Sequence, residues 1–228
     1  PIVYIKRKYG GSLKRAKDGI AVFLLFTSIL NAVSYAVLTV GVNLSDKIEG
    51  TALSSAVIGS LLVTFCATLG RVIWIKFIIK EGETGDALLF GAGYASAYTL
   101  LSYVFTTVAN AVISIILYAN SNAEISTVFT SNVQQVQSTD LYTLFVWIVE
   151  MLLLYIFEMA ISVAFFRVII KGYDKKWLLA GIGIHFIGNA LIRYSKLNDA
   201  LLVLILLCVT VVAAGLAYSL TFNEREIN

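Results

Sequence analysis

A chain of 228 residues that is 59% hydrophobic and 14% charged, with a single proline, excludes a soluble domain, which must cover its surface with polar groups. The mean hydropathy of +0.86 indicates a polytopic membrane protein. The net charge of +3 comes from basic residues clustered at the ends of apolar segments, which argues against a nucleic-acid partner and for membrane anchors.

In chain order, Pro1 to Ile5 followed by Lys6, Arg7 and Lys8 reads like the cytoplasmic end of an apolar helix, which raises the expectation of one more span upstream of Pro1. A helix needs about 20 apolar residues to cross the hydrocarbon core. Segments near 19–42, 52–79, 86–118, 141–171, 177–194 and 197–221 meet that measure, so the expected fold is all-α, a transmembrane helical bundle of about six spans in one domain over 1–228. The third and fourth stretches exceed one crossing, and Gly91 and Gly93 are the expected break in the third.

Basic clusters before the first span, at Lys76 and Lys80, and from Arg167 to Lys176 belong on the cytoplasmic side. The opposite side receives 43–50 and the polar stretch 119–140, which holds Glu124 and Asp140 but no lysine or arginine and is expected as an exterior loop. Arg193 and Lys196 are discordant with this topology unless 192–198 forms a short re-entrant hairpin. The expected localisation is an integral, multi-pass protein of a bacterial plasma membrane. Cys66 and Cys208 fall within apolar runs and read as small core residues, without disulfide or metal-ligand spacing.

Arg71, Glu158 and His185 lie inside these apolar stretches. At a rise of about 1.5 Å per residue, each sits roughly 13 Å from the nearest cytoplasmic anchor, Lys80, Arg167 and Lys176 respectively, so the three can meet. Ionisable groups at that depth are costly unless paired, and they mark a site or a structural pair. One reading is a buried Arg71–Glu158 pair with a satisfied His185; the other is a proton-handling or hydrolytic site. Glu150 lies eight residues before Glu158, about 80° away around the helix, and is expected to line an outer cavity or pair with a tyrosine. Zinc takes three protein ligands, whereas the chain has one histidine and no HExxH or GxSxG pattern. The run Leu88 to Tyr98 is dense in small side chains, which suits close helix packing, with Tyr94 and Tyr98 as polar candidates on it. Tyr98, Tyr103, Phe105 and Tyr118 read as an interfacial aromatic belt or a contact surface.

The order of these features resembles the YhfC-type family of intramembrane metalloproteases, related in motif style to the CAAX-prenyl and bacteriocin-processing membrane proteases. Phe65 to Arg71 is similar to a family segment with paired glutamates before an arginine; it keeps Gly70 and Arg71 but has Ala67 and Thr68 where the acids are expected. Phe90 to Tyr98 resembles a glycine-rich segment with tyrosine in the place of a final glutamate. Phe157-Glu158 resembles a segment with a later histidine, whose position Phe166 takes, and His185 to Asn189 fits a final motif of histidine followed four residues later by asparagine or aspartate. One helical turn puts those last two on one face.

The resemblance implies a protease-like fold whose retained set is Arg71, Glu158, His185 and Asn189. Without the other acids, it implies a catalytically inactive relative that binds a peptide, lipid or partner helix, as a single protein or as a subunit of a larger membrane complex. Two alternatives stand beside it. An active metalloprotease would use Glu158 as base and His185 as ligand or electrophile, with zinc as cofactor; a proton-coupled transporter would use the same residues as a relay, although no inverted repeat is visible.

Overall fold

The computed structural model describes residues 1–38, 52–101, 141–194 and 199–222. These form seven helices, labelled in chain order: α1 (Ile2–Tyr9), α2 (Leu13–Ala36), α3 (Ala52–Ile73, continued by a π-helical turn over Trp74–Ile79), α4 (Thr84–Thr99), α5 (Leu141–Lys171), α6 (Lys175–Arg193) and α7 (Asp199–Phe222). α2 is π-helical over Phe23–Leu30. The fold is the expected polytopic helical bundle.

Among the described residues four helices are long and apolar enough to span a membrane: Leu13–Ala36, Ala56–Ile79, Phe145–Lys171 and Ala200–Phe222. The fifth expected span corresponds to α6, 19 residues whose Lys175, Lys176 and Arg193 lower its apolarity. The third corresponds to α4 as far as residue 101; its remainder lies outside the described residues, as do the 119–140 loop, Glu124, Asp140, Lys196 and the aromatic residues Tyr103, Phe105 and Tyr118.

Local chemistry sets the helix ends. Gly10 and Gly11, at φ 74° and 86°, turn the chain out of α1, so that Ile2–Tyr9 is a separate short helix. Ser12 caps α2 by accepting from the Lys14 amide, and Asp174 caps α6 by accepting from the Lys176 amide. At α4 the Glu83 and Asp86 side chains form a capping box. Asp86 also accepts from the Ser12 amide at 2.9 Å, which ties the starts of α2 and α4 together.

α4 does not break at Gly91 and Gly93, contrary to the sequence expectation; it runs unbroken through both. A Cβ on Gly91 would stand 2.7 Å from the Met159 carbonyl oxygen, and one on Gly93 would overlap the Ala16 carbonyl oxygen. The glycines let the α4 backbone press against α5 and α2, which is the small-residue packing that holds helices together in lipid. α5 lies at the centre of the bundle, with Phe157, Ile161, Phe165 and Phe166 completely or almost completely buried. Arg167 Nε donates to the Leu220 carbonyl at 3.2 Å and Thr210 Oγ1 to the Leu153 carbonyl at 3.4 Å, so α7 runs parallel to α5.

Both cysteines are free. Cys66 is a core residue, but Cys208 is exposed, because it falls on the α7 face turned away from the bundle.

Candidate functional site

Arg71 of α3, Glu158 of α5 and His185 of α6 converge. Each is at most 2% exposed. Arg71 Nη2 donates to Glu158 Oε2 at 2.6 Å, and Arg71 Nε donates to Ser162 Oγ at 3.1 Å. The second carboxylate oxygen, Oε1, is 3.0 Å from His185 Nε2. A carboxylate only accepts, so Nε2 carries the hydrogen and donates it. The other ring nitrogen, Nδ1, is buried without a hydrogen-bond partner.

The guanidinium also stacks on an aromatic face, with Cζ 3.9 Å from the centre of the Tyr94 ring. The Tyr94 hydroxyl shares a 2.6 Å hydrogen bond with Thr27 Oγ1, which brings α2 into the same network. Phe157 closes the His185 side at 5.9 Å between ring centres. Asn189 Nδ2 donates to the His185 carbonyl at 2.9 Å, bracing the α6 backbone. Among the described residues, the Tyr94 and Phe165 rings pack against the guanidinium and the Phe157 ring against the imidazole.

The other candidates lie apart. Glu150 is half-buried on α5, about 12 Å from Glu158 along the helix axis. Tyr98 packs edge-on against Phe23 at 5.7 Å. Phe166, at the position where the resemblance places a histidine, stacks at 5.7 Å on Phe90. Ala67 is fully buried.

Sequence reasoning missed Ser162, although its place four residues after Glu158 puts both on one face of α5. It also missed Thr27, for which no sequence signal exists, since Tyr94 is 67 positions away. A second polar cluster, where α2 starts and α3 ends, escaped it as well. Asp18, 7% exposed, accepts from Arg15 Nη1 and Trp74 Nε1, both at 3.3 Å, while Arg15 Nη2 reaches the Glu81 carbonyl at 3.2 Å.

A carboxylate that orients an imidazole through one ring nitrogen is the usual support of a metal-binding histidine. Zinc, however, requires three protein donors, and among the described residues no three His, Cys, Asp or Glu side chains gather. Glu158 already has a guanidinium cation on one oxygen and an imidazole N–H on the other. Among the described residues, the donor set does not fit a catalytic metal.

Fold and site together define a polytopic α-helical membrane protein with a charged core sealed between three helices. The family profile of the YhfC intramembrane metalloproteases matches residues 1–212, and the chain belongs to that family. It is similar to the uncharacterized membrane protein YhfC of Bacillus subtilis (strain 168), 32% identical over 120 residues, which cover 52% of this chain and 44% of that protein. The matched part is thus less than half of the curated relative's length. No solved structure matches the chain.

Proposed function

We propose that this family member no longer hydrolyses peptide bonds and works by binding a peptide, lipid or partner helix within the membrane, alone or as a subunit of a larger complex. The observation that carries this reading is the full engagement of Glu158. Hydrolysis needs a base within hydrogen-bond reach of the attacking water, and both Glu158 oxygens are committed to Arg71 and His185 at 2.6 and 3.0 Å. Ala67 and Thr68, where the resemblance expects acids, offer no replacement base, and Phe166 offers no second imidazole. What remains is a rigid polar lock that fixes α3, α5 and α6 relative to each other. The bacterial source of the relative supports a plasma-membrane location.

The test is to reconstitute the chain in proteoliposomes with membrane-embedded peptides, with and without a chelator, and to measure bound metal in the purified protein. The expected result is no turnover and metal well below one equivalent. Chelator-sensitive cleavage that disappears in His185→Ala would establish an active metalloprotease instead.

A further inference from the structure

An open groove of about 200 Å³ runs between α4, α5 and α7, with α1 packed beside it. Ile156, Met159, Ala214 and Phe222 make its wall almost wholly apolar. Two lining residues carry hydroxyls: Tyr218, which is exposed, and Thr221, which is 5% exposed and whose hydroxyl has no hydrogen-bond partner.

The groove is flanked by a basic helix. Leu88 and Met159 line it and also pack against the cluster that Ile5 of α1 forms with Leu89 and Ala92. Tyr9, at the end of α1, lies 6.3 Å ring to ring from Phe222, which in turn is 5.3 Å from Tyr218. Lys6, Arg7 and Lys8 are exposed on α1. An apolar slot, a hydroxyl at its end and a basic helix packed beside it match, in order, an acyl chain, an ester or phosphate oxygen and an anionic headgroup.

We propose that this groove is a binding site for an anionic phospholipid of the cytoplasmic leaflet, with one acyl chain between α5 and α7 and the headgroup phosphate on the basic residues of α1. The charge complementarity selects the occupant: an apolar partner helix offers nothing to the exposed cations of α1, whereas an anionic lipid is attracted to them. The proposal deepens the binding half of the proposed function and does not depend on the loss of hydrolysis.

Native mass spectrometry of the full chain, titrated with phosphatidylglycerol and separately with phosphatidylcholine, tests it. Phosphatidylglycerol is expected to bind more tightly, and each of Lys6→Gln, Arg7→Gln and Lys8→Gln is expected to weaken it by about fivefold, by neutralising one basic residue at the membrane surface. Ala214→Phe fills the slot and should abolish binding. Thr221→Val, nearly isosteric and safe for the fold, should weaken it measurably without changing the thermal midpoint in lipid-free detergent. Equal binding of the two lipids, unchanged binding in Ala214→Phe and Thr221→Val, or full competition by free glycerol phosphate would each overturn the site. So would a second copy of the chain or another protein held at the groove in place of lipid. None of these readouts uses cleavage or metal, so failure here leaves the loss-of-hydrolysis reading standing, and the reverse also holds.

Discussion

Arg71 Nη2 and Glu158 Oε2 are 2.6 Å apart across 87 positions of sequence, both on side chains withdrawn from solvent. Two charges removed from water at such cost persist only as a pair with further hydrogen bonds around them, and here Ser162, His185 and the Tyr94 ring supply those. Arg71→Met alone should therefore destabilise the protein by about 3–5 kcal/mol, because Glu158 keeps a buried charge without its main partner. The double variant Arg71→Met, Glu158→Met should be more stable than either single change. Thermal unfolding of all four proteins in one detergent decides the matter, and strictly additive losses would show that the two residues are not energetically coupled.

The glycines separate by their surroundings. Gly19→Ala and Gly93→Ala each drive a methyl into backbone, at the Phe90 and Ala16 carbonyls respectively, and should cost about 1–3 kcal/mol by forcing α2 and α4 apart. Gly183→Ala and Gly215→Ala meet nothing within 4 Å. Those two should raise stability by about 0.5–1 kcal/mol through helix propensity. Equal effects in the two pairs would contradict the close α2–α4 crossing.

Ser60, Thr64 and Thr68 follow one face of α3 towards Arg71, and each carries a buried hydroxyl without a hydrogen-bond partner. Exchanging Thr64 for Val removes a donor that gains nothing in the folded state, so the thermal midpoint should stay level or rise. A fall of more than about 1 kcal/mol would reveal that the hydroxyl is satisfied in the membrane.

At the start of α6, the Lys176 amide and ammonium hold the Asp174 carboxyl below the usual aspartate range. A depressed folded-state value means that the cap contributes its stability above the ordinary value of about 3.9 and loses it as pH falls through the lower folded value. Asp174→Ala should therefore melt below wild type at neutral pH, with the difference closing as the solution is acidified past that window. A gap that stays constant at low pH would show that the charged carboxylate is not the capping group.

Much of the site was legible because depth in a membrane is a one-dimensional quantity. Counting residues from Lys80, Arg167 and Lys176 placed Arg71, Glu158 and His185 at one height, and they do meet. Azimuth was less accessible: Ser162 follows from Glu158 by one turn, yet nothing in the sequence says that Thr27 meets Tyr94. The glycines of α4 illustrate the same limit. Their type announces an unusual backbone, but break and close approach both use glycine, and only the position of Ala16 and Met159 selects the second.

Composition and hydropathy by themselves settled the membrane class, because lipid accepts only long apolar helices whose backbone bonds close internally. The spacing of charges along those helices settled which side chains share a depth. The packing of α3, α4, α6 and α7 against α5, with α2 laid on α4, decided the rest: that Glu158 divides its two oxygens between Arg71 and His185, that aromatic rings pack against both partners, and that a groove lies elsewhere, against α1. Helix rise is written into the chain, whereas the angle at which one helix packs on another emerges only when all of their side chains compete for the same volume.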